Sequence, residues 1–212
     1  IEPHTIWDER IGEKVPVGQA VHNSYVAHLG SPLPFGNKLF AEARRRNWLH
    51  VSDTQVLGDG ASWIWNLVEE HFGGSHQTVD WYHAKQHLFA ACLNFHPEGS
   101  PAAQRWMNTQ AELLFQGHAD RIAQNLRKAA ESQPEADQEA GYFETNHRRM
   151  NYMELREQGW LMGSGMIESG AKQFKARFAG PGMRWSRKGA ERLLPIRAAI
   201  LGNQFDRVWK SA

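Results

Sequence analysis

Asp59 stands between two glycines in the stretch Thr54–His87, TQVLGDGASWIWNLVEEHFGGSHQTVDWYHAKQH, and Asp80, His83 and His87 follow it within the same stretch. A third acid, Glu168, lies far along the chain in Gly163-Ser164-Gly165-Met166-Ile167-Glu168-Ser169. Gly58 and Gly60 leave room for a phosphate or a metal to approach the backbone at Asp59. Hard carboxylate oxygens, in a chain whose one cysteine is Cys92, suit Mg²⁺ or Mn²⁺ better than Zn²⁺. Two such ions bridged by carboxylates are the usual device for in-line displacement at a phosphodiester: one activates the attacking oxygen, the other stabilises the departing one.

Each of these residues also has a plainer reading. Gly58-Asp59-Gly60 is equally a turn, with Asp59 capping a helix from Ala61 onward. Glu168, with Lys172 and Lys175 below it on one helix face, is equally dipole complementarity plus an i,i+4 ion pair. His83 and His87 share the i,i+4 spacing that can hold a metal on a helix face. Without cysteine partners they read better as hydrogen-bonding groups or as residues reaching a substrate.

The elements that position these residues alternate strand, helix, strand, helix. Val56-Leu57 is a short apolar run ending at Asp59. Trp63 to Phe72 repeats at helical spacing until Gly73-Gly74, and Gln77-Thr78-Val79 ends in Asp80. A βαβ-like unit therefore carries a carboxylate at the C-terminal end of each strand, the edge where ligands collect in open α/β sheets. Upstream, Lys14–His22 and Tyr25–Leu29 read as an antiparallel hairpin, Ser31–Gly36 as a Pro/Gly loop, and Asn37–Arg46 as a helix. Downstream, helix-like stretches cover Ala84–Leu93, Ala102–Gln116, Ala119–Glu131 and Gln138–Asn151. The Glu168-bearing helix follows over Met166–Phe178, with Ile167, Ala171, Phe174 and Phe178 on one face. Ser186 caps a last helix in which Pro195 introduces a kink. Cys92 lies in an apolar run and reads as a small buried hydrophobe.

Charge is unevenly spread. Residues 163–212 hold ten Lys/Arg against Glu168, Glu191 and Asp206, a net of +7, leaving 14 Lys/Arg and 20 acids, or −6, for the first 162. The basic C-terminal part is thus expected to face a polyanion, chiefly through phosphates. No apolar run is long enough to span a membrane, and a cytoplasmic protein is the expectation.

Four segments in order, GDGASWIWNLVEEHF, VDWYHAKQHL, GSGMIESGAKQ and GMRWSRKGAERLLPIRAAIL, together resemble the DDE transposases of bacterial insertion sequences. The Kra-type family is the nearer likeness, and the Mutator-like branch a more distant one. YVAHLG, FGNKLFAEA and YFETNHRRMNY extend the resemblance along nearly the whole chain. It implies an α/β fold: an RNase H-like mixed five-stranded sheet flanked by helices, with a helical insertion before the Glu-bearing helix. The expected divisions are 1–83 for the core, 84–160 for the insertion, and 161–212 for the Glu-bearing and basic helices that complete the core.

The same resemblance implies metal-dependent DNA cleavage and strand transfer, with Mg²⁺ or Mn²⁺ as cofactor. Transposon ends and target DNA are the implied partners, bound by a homo-oligomer. Asp59 is similar to the second acid of the DDE triad and Glu168 to the last. Asp80 and His83 match a motif that follows the last core strand in Mutator-like enzymes; a different alignment makes Asp59 and Asp80 the first and second acids. Metal ligands are then Asp59, Glu168 and Asp80, and DNA contacts Lys172, Lys175, Arg177, Arg184, Arg187 and Lys188.

The pattern departs at its start. Nothing before Ile11 reads as the Asp-bearing first strand, Asp8 lacks a flanking β pattern, and the strand is expected to be missing together with any N-terminal DNA-binding region. Such a chain is expected to be inactive alone. Two further functions compete: a metal-dependent nuclease or resolvase on the same fold, and a non-catalytic DNA-binding transposase remnant.

Overall fold

A computed structural model describes residues 2–8 and 12–210. The chain is a mixed α/β protein, mostly helical, whose parallel sheet has only two strands. β3 (Gln55–Gly58) and β4 (His76–Val79) pair in parallel, Gln55 opposite His76 and Gly58 opposite Val79. Parallel neighbours need a crossover, here supplied by α2 (Ser62–His71), which buries Trp65, Leu67 and Val68. The βαβ reading of Thr54–Asp80 is therefore what the chain forms.

The N-terminal hairpin is one strand earlier than its sequence suggests. β1 (Glu2–Asp8) pairs antiparallel with β2 (Glu13–Gln19), Asp8 opposite Glu13, around a turn that includes Gly12 at φ +68°. Residues before Ile11 thus do form a strand, despite the polar Trp7-Asp8-Glu9-Arg10 that obscures its alternation. The Asp8 side chain lies outside the described residues. Tyr25–Leu29 is not a strand. Tyr25 instead turns toward Phe174, ring centroids 6.5 Å apart and edge to face, so its aromatic character serves packing rather than pairing.

α1 (Pro32–Arg45) begins inside the expected Pro/Gly loop. Pro32 occupies the first helical turn, where a missing N–H costs nothing. Gly36 is buried because the helix crosses α2 there: an added Cβ would meet Leu67 Cδ2 at 2.4 Å. At the other end Arg45 pairs with Glu42, and Arg46 donates to Ser24 Oγ at 3.0 Å. The arginines therefore hold the helix end as well as suiting its dipole.

From Asp80 onward the chain is helical. α3 (Trp81–Leu93), α4 (Pro101–Phe115), α5 (Ala119–Ala130) and α6 (Ala136–Asn146) agree with the sequence pattern. A 3₁₀ turn, His147–Arg149, and the short α7 (Tyr152–Glu157) replace the expected tail of the fourth helix. The buried core runs through these helices and into the βαβ unit, joining Leu88, Leu114, Ile122, Phe143, Met150 and Tyr152 to Trp65, Val68 and Val79. Cys92 is wholly buried and Sγ-H points at Ala103 O, 3.7 Å away. Of the nine tryptophans, Trp65 is buried and Trp48, Trp81, Trp106 and Trp160 pack on the core, whereas Trp63 and Trp185 are exposed.

α8 (Gly165–Phe178), α9 (Arg187–Leu201) and α10 (Phe205–Lys210) finish the chain. α9 continues through Pro195, and α10 has no counterpart in the sequence pattern. These helices bury little: Gly170, Ala198 and Ala199 among the described residues. The expected five-stranded mixed sheet does not form among the described residues, which hold two separate two-stranded sheets.

Candidate active site

Asp59 is the residue after β3, and Asp80 the residue after β4. Parallel pairing thus brings the two carboxylate-bearing positions to one sheet edge, and Asp80 N–H closes the ladder on Gly58 O at 2.7 Å. The two acids differ in environment. Asp59 is exposed, and its Oδ1 accepts the Ala61 amide at 2.9 Å in a short side-chain turn. The N-cap position of α2 is Ala61 rather than Asp59.

Asp80 is 1 % exposed and both its oxygens are in use. Oδ1 accepts the His83 amide at 2.9 Å, with His83 Nδ1 3.3 Å away. Oδ2 accepts the amide of Ser164. Burial alone would raise this carboxyl, but the hydrogen bonds from Ser164 and His83 outweigh it and hold the group below the usual carboxylate range. Asp80 therefore does two structural things: it caps α3 and moors the start of α8.

That mooring decides where Glu168 begins. Ser164 is the N-cap position of α8, and Glu168 follows in the first turn with its amide on Ser164 O at 3.1 Å. The Glu168 side chain is exposed. Asp59 and His83 line a cavity of about 680 Å³ with Ser164 and with Ile167, Ala171 and Phe174, three of the four residues expected on the apolar face of α8. Glu168 does not line it. The structure thus joins Asp80 directly to His83, sets Asp59 and His83 in the lining of one cavity, and leaves Glu168 exposed and outside that lining.

For divalent ions the carboxylate chemistry is right, yet among the described residues no three potential ligands come together. Asp80 has both oxygens occupied by protein donors. The residues present do not fit a two-ion centre as they stand. His83 and His87 do not share a partner either, since His87 Nδ1 lies 2.7 Å from Glu139 Oε2 on α6.

Two residues beside the Asp59 loop escaped the sequence reading. The Tyr142 hydroxyl donates to Asp59 O at 2.9 Å. Asn146 Nδ2 donates to Gly60 O at 3.3 Å while its Oδ1 accepts Trp65 Nε1–H at 3.0 Å. The Tyr142 ring stacks on His87 with centroids 3.4 Å apart. Their signal was the i,i+4 spacing of Tyr142 and Asn146 within YFETNHRRMNY. Periodicity could say that they share a face but not which loop that face meets.

The six basic residues expected to contact DNA, Lys172, Lys175, Arg177, Arg184, Arg187 and Lys188, are all exposed. Arg187 shares its charge with Glu191, Nε to Oε1 at 2.9 Å. Among the described residues no helix is long and apolar enough to cross a membrane. Compared with family models, with curated proteins and with solved structures, the chain matches none.

Proposed function

We propose that this chain is the catalytic region of a DDE-type DNA transposase built on an RNase H-like core, cutting and joining double-stranded DNA. The observation that carries the reading is the meeting of Asp59, Asp80 and the N-terminus of the Glu168 helix at one end of a parallel βαβ unit. The four-segment resemblance supports it, since its site acids fall at the same three points. The exposed cations on α8, on α9 and between the two would supply its phosphate contacts.

In this reading Asp59 and Glu168 are the two acids free to take part in chemistry, because each is exposed. Asp80 is a positioning residue: it fixes the start of α8 and so the place from which Glu168 projects. His83 faces the cavity and holds one oxygen of Asp80. Mg²⁺ or Mn²⁺ is the cofactor this chemistry calls for, and its ligand set needs at least one oxygen beyond Asp59 and Glu168. Assembly as a homo-oligomer on DNA and a nucleoid-associated location belong to the same proposal.

The test is excision of the DNA element flanking the gene that carries these residues, scored from a plasmid. Asp59→Ala and Glu168→Ala each abolish excision, and Lys128→Ala, at an exposed position of α5, leaves it unchanged. Excision that survives both acid substitutions overturns the assignment. Loss of excision with unimpaired single-strand nicking would favour the nuclease reading.

A further inference from the structure

The residues of α6 that touch the Asp59 loop form a connected set. Tyr142 and Asn146, one turn apart, donate to consecutive backbone carbonyls, Asp59 O and Gly60 O. Asn146 is 1 % exposed, and its other end accepts from Trp65 on α2. Behind Tyr142 lies His87 of α3, stacked on the ring and held by Glu139, one turn earlier on α6. Gly60 fits this contact because it has no side chain: its φ is +98°, and a Cβ there would meet the Tyr142 ring at 2.7 Å. Burial chiefly, and then the charges of Asp59, Asp80 and Glu139, push the Tyr142 phenol up, so it stays a donor at any working pH.

We infer that Tyr142 and Asn146 are positioning residues for Asp59, a two-point clamp by which the helical segment, rather than the two-stranded sheet, sets where that carboxylate stands. The sheet leaves this task undone. β3 ends at Gly58, and beyond it the loop's own restraint is the bond from Ala61 N–H to Asp59 Oδ1. That bond orients the carboxylate only while the Asp59–Gly60 peptide is held, and the peptide is held from α6. Neither residue touches a reacting atom; both act through the Asp59 backbone. The inference rests on the proposed role of Asp59 for its bearing on catalysis, but the clamp itself can be tested without it.

The experiment compares Tyr142→Phe with Tyr152→Phe in residues 1–212. Each removes one hydroxyl-to-carbonyl bond: Tyr142 from Asp59 O, and Tyr152 from Val79 O at 3.0 Å. Tyr142→Phe keeps the ring on His87. Amide hydrogen exchange at Ala61 reports the Asp59 turn directly. Tyr142→Phe is expected to speed it about five-fold, the factor for losing a hydrogen bond of about 1 kcal/mol. Tyr152→Phe leaves Ala61 unchanged relative to amides in α5.

Unchanged Ala61 exchange in Tyr142→Phe overturns the clamp. Equal acceleration at Ala61 and throughout α5 overturns it too, because that marks global loosening. The companion arm is the excision assay, in which Tyr142→Phe lowers the rate and Asp59→Ala abolishes it. Faster Ala61 exchange together with full excision by Asp59→Ala would uphold the clamp and remove the transposase reading instead.

Discussion

Asp80 is the residue whose substitution separates structure from chemistry most clearly. An Asn side chain can accept from His83 N–H through its oxygen, but then turns an NH₂ toward the Ser164 amide, donor against donor. Asp80→Asn should destabilise the fold by about 2 kcal/mol, the scale for hydrogen bonds to a buried charge, read from urea midpoints at pH 7. The sign with pH follows from the depressed carboxyl. A group titrating lower when folded than its unfolded value near ~3.9 stabilises fully above that value and loses the contribution as pH falls through its folded value. The gap between wild type and Asp80→Asn should therefore be constant from about pH 5 upward and shrink below about pH 4. A gap that widened in acid would mean the carboxyl is not the stabilised form. Glu42 behaves alike at the surface: the hydrogen bond from Arg45, set against partial desolvation, draws it down to about 2.

At the scale of elements, the crossing of α1 over α2 is set by Gly36. Alanine is the better helix former by about 0.5–1 kcal/mol, yet its Cβ would lie 2.4 Å from Leu67 Cδ2 and 3.0 Å from His71 Nε2. Leu67 is buried and His71 stacks on Phe40 at 5.4 Å, so neither moves freely. Overpacking should win: Gly36→Ala is expected to lower stability by about 1–2 kcal/mol in thermal melts, where a surface glycine in a helix would raise it. The same crossing shows what the sequence could and could not say. The βαβ unit, α3 to α6 and the Glu168 helix were legible because their apolar positions repeat with a clear period. The start of α1 was hidden by Pro32, Pro34 and Gly36, which punctuate a loop as readily as they open a helix packed closely on another. β1 was hidden by the polar Trp7-Asp8-Glu9-Arg10, which breaks its alternation, and Tyr25–Leu29 passed for a strand because an aromatic and β-branched run packs equally well on a helix. At the site the acids were visible as strand-end residues. Their partners Ser164, Tyr142 and Asn146 were not, since each meets its acid or the adjoining loop across at least 83 residues of chain.

At the scale of the whole molecule, DNA binding should report on the exposed cations of α8, α9 and the turn between them. Between Lys172 and Arg197 there are eight Lys/Arg against Glu191. Neutralising Lys172, Lys175, Arg184 and Arg187 should weaken binding to all duplex sequences alike. It should also flatten the logarithmic salt slope by about 0.9 for each phosphate no longer neutralised. Selective weakening for one sequence would mean that bases are read there. Residues 1–212 should not cleave supercoiled plasmid with Mn²⁺, because Asp80 keeps both oxygens on protein donors and Glu168 stands outside the cavity that Asp59 lines. Metal-dependent cleavage by the unsubstituted chain would show that Asp80 leaves its structural bonds, or that Glu168 turns inward, to serve as a ligand.

One hydrogen bond, from Trp81 N–H to Met162 O at 2.8 Å, closes an excursion of 162 − 81 = 81 residues. Gln55 seals it again, its side chain bonding both the amide and the carbonyl of Leu161 at 3.2 and 2.7 Å. In time rather than space, this separates folding into an early and a late event. Contacts such as α5 on α6 are local and can form quickly, whereas the closure at Leu161 must wait for the helices to bring it home. Refolding followed by pulsed hydrogen exchange should protect the α5 and α6 amides before Leu161, and Asp80 should acquire its second anchor only at the last step.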